Sequence, residues 1–174
     1  MKNRVVVTGA GVISPIGSGL EVFWQAILAG KNGVGRITQF DASKFDSQIA
    51  AEVPDFDPLK YLNSKDARHM ARFVQFALGA ALEAFRDSKI DLETIHLERA
   101  GVLVGSGIGS LHTIEEEHSR YLQKGPAKLS PFLIPMLIVN EAAGQISIHL
   151  GLKGPNSCVA TACASGSHAI GDAF

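Results

Sequence analysis

Apolar positions fall along the chain in three short unbroken runs with periodic stretches between them. Residues 4–8 (RVVVT) form a continuous apolar run halted by Gly9, the pattern of a strand covered on both faces in a parallel sheet. Residues 100–105 (AGVLVG) repeat that pattern and open into a glycine-rich turn, Ser106-Gly107-Ile108-Gly109-Ser110. Residues 157–161 (SCVAT) predict a third strand. After the first run, Ser18 with Glu21 makes a capping box, Leu20, Val22, Phe23, Ala26 and Ile27 supply an apolar face, and Gly30 ends the helix. Residues 31–62 mix turn signals with short apolar pieces and predict loop with one short strand. Residues 64–88 predict one long amphipathic helix, because Ala67, Met70, Ala71, Val74, Ala77, Leu78, Ala81, Leu82 and Phe85 recur at steps of three and four. Helical and irregular pieces follow over residues 111–139, broken at Gly125-Pro126, Pro131 and Pro135. Asn140 is placed to cap a helix reaching Leu150, with Gly151 as its terminator. A last helix begins at or just after Cys163 and continues toward Phe174.

Strands alternating with helices predict an α/β fold with a mostly parallel sheet, and residues 1–174 carry no sign of an internal domain boundary. A final helix with no following strand reads as part of a longer layered fold. The composition is that of an ordinary soluble domain, with 46% hydrophobic and 19% charged residues. A net charge of -1 provides no global basic field, so nucleic acid and anionic membrane are not expected partners. No apolar run reaches the roughly 18 residues of a membrane span, and Met1-Lys2-Asn3-Arg4 leads straight into valines without a signal-peptide pattern, which predicts a cytoplasmic protein. Cys158 and Cys163 are too few for a disulfide framework and lack metal-ligand spacing.

Several motifs invite chemistry. The stretch VVVTGAGVISPIG (residues 5–17) starts like a dinucleotide-binding turn, but the third glycine position holds Ser14, followed by Pro15, so a tight structural turn is the better reading. Tyr61 and Lys65 have a reductase-like YxxxK spacing, yet Asn63 and Ser64 are the N-cap of the following helix and leave Tyr61 outside it. Lys65, Arg68 and Arg72 share one helix face, flanked by His69. That face is either an ordinary solvated surface or a docking patch for an acidic partner. The turn GSGIGS lacks the Lys-Ser/Thr of a P-loop and reads as a close backbone approach to a site, with Ile108 its one bulky apolar residue.

Cys163 carries the sharpest signal. A free cysteine is commonly a small buried hydrophobe. Here, however, the preceding strand sets it at the carboxyl edge of a sheet, where open α/β proteins bind ligands. The helix that follows directs its positive end at the sulfur, a setting that favours thiolates. Ala162, Ala164, Ser165 and Gly166 leave room for substrate and permit a sharp elbow of the strand-turn-helix kind. No histidine presents itself as a base, since His168 lies five residues along, roughly 140° around the helix.

In these residues the chain resembles the N-terminal part of the β-ketoacyl-[acyl-carrier-protein] synthases of the KAS II class, thiolase-fold condensing enzymes. The resemblance runs through VVVTGAGVISPIG, GSGIGS, LSPFLIP, IVN and GPNSCVATACASGSHAIG, and covers about the first two fifths of such an enzyme. It implies that Cys163 accepts an acyl chain from acyl-carrier protein as a thioester, and that malonyl-carrier protein decarboxylates to a carbanion that attacks it. It further implies that the Cys163 N–H helps form an oxyanion hole, that Ile108, Leu133 and Met136 line the acyl pocket or its subunit interface, and that Lys65, Arg68 and Lys128 meet the carrier protein. His69 and Ala127 stand where such enzymes often carry another basic residue. A homodimer is implied, and neither cofactor nor metal. The family's two active-site histidines, its lysine and its second oxyanion loop belong to the later part of such enzymes, so residues 1–174 alone are expected not to condense. Two other readings remain: a polyketide-type ketosynthase sharing the same elbow, and a non-catalytic piece that binds carrier protein and dimerises. A nicotinamide-dependent reductase is the remotest, and cofactor titration tests it.

Overall fold

A computed structural model describes residues 4–174. The chain forms two compact units, one of Thr8–Asp57 with Gly79–Lys89, the other of residues 4–7, Pro58–Leu78 and Ile90–Phe174.

In the first unit, strands β1 (Ile13–Ser14) and β2 (Gly17–Ser18) pair antiparallel around Pro15-Ile16, and Ser14 Oγ donates to the Gly17 carbonyl at 2.8 Å. Helix α1 (Leu20–Leu28) follows. Its expected capping box does not form: Gly19 is the N-cap without a side-chain bond, and Glu21 instead accepts from Gln25 one turn on. The end is as expected. Gly30 adopts φ 62°, and the N–H groups of Gly30 and Lys31 reach the carbonyls of Ile27 and Ala26 at 2.9 Å, a Schellman closure. The following loop contains two short strands rather than one, β3 (Gly35–Arg36) and β4 (Ile49–Ala50), paired antiparallel. Beside them the Glu52 carboxylate accepts from the Thr38 hydroxyl at 2.6 Å and the Thr38 N–H at 3.0 Å, and these donors hold its pKa below the ordinary glutamate value of 4.5.

Gly9 and Gly11 answer the dinucleotide question. An added Cβ would stand 2.3 Å from the Ala84 carbonyl oxygen at Gly9 and 2.0 Å from that of Ala80 at Gly11. The glycines are there because the backbone lies directly on a helix, and Asp87 of that helix accepts from the Ala10 N–H at 2.9 Å.

In the second unit the predicted long helix is two, α2 (Ser64–Arg68) and α3 (Arg72–Ser88), the latter running on into the residues of the first unit. Asn63 caps α2 as expected, its Oδ1 accepting from the N–H groups of Lys65 and Asp66. The break escapes the periodicity because Ala67, Met70, Ala71, Val74 and Leu78 all stay buried across it. Gln75 compensates for the lost helical bonds by donating from Nε2 to the carbonyls of Ala67 (2.8 Å) and Met70 (3.1 Å). Arg72 therefore opens a separate helix, with its guanidinium over the Phe76 ring, and does not share a helix face with Lys65 and Arg68.

Strands β5 (Val102–Gly105) and β6 (Asn156–Val159) form a parallel pair in register from Val102 opposite Asn156 to Gly105 opposite Val159. Both are at most half-buried, less than their apolar runs predict. Between them come α4 (Leu111–Lys124), α5 (Leu133–Leu137) and α6 (Glu141–Leu150), and α7 (Ser165–Ala173) closes the chain. Helices α6 and α7 both pack on β5. Pro135 does not break α5, because it sits in the first turn, where no N–H is required. Asn140 stands at the start of α6 with helical dihedrals and no side-chain bond, whereas Gly151 terminates that helix at φ 67° as expected.

The run at residues 4–8 is not a strand. Val7 is 89% exposed, and among the described residues no strand pairs with it. β-branched residues alone do not make a strand without a ladder to join. Among the described residues no helix is long and apolar enough to cross a membrane.

Candidate active site

At the end of β6 the chain turns sharply. Ala162 adopts φ 50°, a left-handed conformation that costs an L-residue about 1–2 kcal/mol. Cys163 follows at the centre of a 3₁₀ turn, Ala162–Ala164, with its side chain exposed, and α7 starts at Ser165. The predicted elbow is thus present, with the helix beginning two residues after the cysteine.

What holds the turn is Ser165, 3% exposed. Its Oγ accepts from the Thr161 N–H at 2.9 Å and donates to the Ala162 carbonyl at 2.7 Å, so one hydroxyl spans the strained residue from both sides. Beneath it, a Cβ on Gly105 would lie 2.2 Å from the Ser165 carbonyl oxygen. The strand end and the helix start are in backbone contact there.

The glycine-rich turn reaches the elbow, as its composition predicts. A Cβ on Gly107 would meet the Ala162 Cα at 3.3 Å. On its other side Gly109, at φ 79°, would meet the Leu137 carbonyl oxygen at 2.2 Å. Ile108, between these glycines and 61% exposed, therefore sits between the elbow and the last residue of α5. Leu133 and Met136 lie on that same helix, both half-buried.

Lys65 and Arg68 are exposed on α2, and Lys128 is exposed in the short turn Pro126–Lys128. The residue that connects α2 to the α5 segment is His69, whose ring stacks on Phe132 with centroids 4.0 Å apart and planes 14° from parallel. Phe132 immediately precedes Leu133. Ser130, just upstream, donates its N–H at 2.7 Å to the buried carboxylate of Glu117, which also pairs with Arg120.

His168 does not serve Cys163. Its Nδ1 lies 3.4 Å from the Thr161 hydroxyl and its Nε2 3.4 Å from Asp172. Cys158 is half-buried on β6.

Sequence reasoning missed three of these groups. In the sequence Ser165 reads only as one of the small residues that leave room and permit the elbow; the preference of serine for helix starts is the available signal. His69 reads in the sequence only as a neighbour of cations. Glu117 offered an i,i+3 pairing with Arg120, but nothing local pointed to Ser130.

The fold is that of the thiolase-like ketosynthases, and solved structures of that class superpose closely. A β-ketoacyl synthase from Burkholderia phymatum matches with a TM-score of 0.84 at 31% identity, over 99% of this chain and 43% of that one. A type II PKS acyl-carrier protein in complex with its ketosynthase bound to the hexaketide matches with a TM-score of 0.84 at 25% identity, over 99% and 46%. In sequence, a 3-oxoacyl-[acyl-carrier-protein] synthase 2 from Synechocystis is 49% identical over 173 residues, 99% of this chain and 42% of the relative. The profile of the β-ketoacyl synthase N-terminal domain matches residues 2–174, and the chain belongs to that family. It spans about two fifths of the length of the curated relatives it matches.

Proposed function

We propose that the chain supplies the nucleophile half of an elongating condensing enzyme of fatty-acid synthesis. The Cys163 sulfur attacks the acyl thioester of acyl-carrier protein, a new S–acyl bond forms, and the carrier's pantetheine thiol leaves with the proton. The Cys163 N–H, in the turn two residues before α7, donates to the oxyanion of that transfer. Malonyl-carrier protein then loses CO₂, and its carbanion attacks the acyl carbonyl; a C–C bond forms, the C–S bond breaks, the Cys163 thiolate leaves, and the 3-oxoacyl product remains on the carrier. In this reading the proton-handling groups of condensation belong to the part of such enzymes that this chain does not span, and His168 faces Thr161 and Asp172.

The observation that carries this reading is a chain of contacts within one unit. From the cations Lys65 and Arg68 on α2 it passes through His69 and Phe132 to Leu133 and Met136, then through Leu137 and Gly109 to Ile108 and the elbow of Cys163. An acidic carrier docked at one end brings its acyl arm along apolar residues to the thiol at the other. Identity to the Synechocystis relative, 49% against 25% for the polyketide ketosynthase, favours fatty-acid elongation over polyketide assembly. Pairing with a second copy in the full-length enzyme fits the exposed apolar stripe Leu111, Ile114, Tyr121 and Leu122 along α4, and the proposed setting is the cytoplasm.

Incubation with acyl-carrier protein followed by peptide mass spectrometry tests the reading. The expected result is an acyl adduct on the Cys163 peptide, absent from Cys163→Ala and from the Cys158 peptide. A longer chain that labels where residues 1–174 do not would place thiol activation in the later part. Absence of label from both overturns the assignment of Cys163.

A further inference from the structure

We infer that Ser165 is the positioning residue of the Cys163 thiol, an inference that rests on Cys163 being the nucleophile. Three observations meet at its hydroxyl. It is buried in a turn whose neighbours Thr161, Ala162, Cys163 and Ala164 are all exposed. It uses both its acceptor and its donor on the two residues that set the elbow, the Thr161 N–H and the Ala162 carbonyl. And the residue it spans is one of only two non-glycine residues with positive φ among the described residues, placed directly before the thiol. An alanine left to itself relaxes out of the left-handed region. The hydroxyl opposes this, because relaxation would break two part-buried hydrogen bonds at once. Nor can the turn drift inward: the Ser165 carbonyl already rests on Gly105 and the Ala162 Cα on Gly107. The clamp thus fixes the direction in which the Cys163 Cβ, carrying the sulfur, leaves the chain, just before α7, where the helix terminus favours the attacking anion.

The test needs no acyl donor. The rate of iodoacetamide alkylation is followed on the Cys163 and Cys158 peptides by mass spectrometry, for the native chain and for Ser165→Ala, Ser165→Val and Ser165→Thr. Threonine and valine have the same shape and differ in the hydroxyl. The expected result is a fall of about two- to five-fold at Cys163 in the alanine and valine variants, the range a helix terminus contributes to an anion, with threonine near the native rate and Cys158 unmoved. A residue that merely stabilised the fold would instead raise labelling at both cysteines as the chain opened. Native rates in the alanine and valine variants, or equal losses in threonine and valine, overturn the inference. Hydrogen exchange of the Thr161 amide in the native chain gives an answer that depends on no variant folding: protection supports the clamp, and exchange at the unstructured rate overturns it. If the native Cys163 takes no acyl group while the hydroxyl still governs alkylation, the functional proposal fails and the positioning role stands. If acylation occurs and alkylation ignores the hydroxyl, the inference fails alone.

Discussion

Replacing Gly105 by alanine inserts one methyl group between the end of β5 and the first turn of α7. That methyl would stand 2.2 Å from the Ser165 carbonyl oxygen, 2.4 Å from its carbon and 2.7 Å from the Gly166 nitrogen, all backbone atoms that cannot swing aside. Ordinary contact begins near 3.4 Å, so strand and helix must part by 3.4 − 2.2 = 1.2 Å. Overpacking of this kind costs about 1–3 kcal/mol, with the upper part of the range apt for unyielding backbone. Against it stands about 0.4–1 kcal/mol from the stiffer unfolded chain. The net loss is about 2 kcal/mol, which at an m-value of about 2 kcal/mol/M moves the urea midpoint down by about 1 M. Gly144→Ala is the control. Gly144 lies inside α6, a Cβ there meets nothing within 4 Å, and the change should raise stability by about 0.5–1 kcal/mol. Urea unfolding followed by far-UV circular dichroism reads both variants. A Gly105→Ala midpoint at or above the native value would refute the claim that strand and helix are in backbone contact.

Three further outcomes are expected. Glu117→Ala should cost about 2 kcal/mol in the same urea assay, since it strips the buried acceptor from the Ser130 N–H, while Glu117→Gln, keeping an acceptor, should lose about half as much. Lys65→Glu with Arg68→Glu should weaken carrier-protein binding about tenfold at low salt and flatten its dependence on ionic strength, as followed by titration calorimetry; unchanged affinity would return that face to a solvated surface. Glu52 has its pKa lowered by the Thr38 donors, so its contribution to stability is full above the ordinary value of 4.5 and is lost as pH falls through the lowered one. The thermal midpoint of Glu52→Gln should accordingly fall below the native one at neutral pH and converge with it on acidification below 4.5.

What could be read from the sequence follows a physical divide. Local chemistry was visible: Asn63 as a cap, Gly30 and Gly151 as terminators, the strand leading to Cys163, and glycines at 105–109 that let backbones meet. Features decided by tertiary contacts were not. The corner at His69 is silent in the periodicity because the same apolar face is buried on both sides of it, and the bonds that make it tolerable come from Gln75, a polar residue with no pattern to announce it. The run at residues 4–8 has every local mark of a strand, but a strand is a property of two segments. At the site, the turn and its exposed cysteine were legible from their neighbours, whereas Ser165 required knowing that Ala162 turns left-handed.

The parallel pairing of β5 with β6 also sets an order of events. Val102 and Asn156 are 156 − 102 = 54 positions apart, and closing a loop of that length costs about 3.5 kcal/mol beyond the constant term before any contact is gained. Cys163 stands past the last paired residue, on a turn braced by both strands' ends and by α7. A chain emerging from synthesis therefore carries Cys163 for some time on an unformed turn, and the elbow exists only once that distant closure has been made.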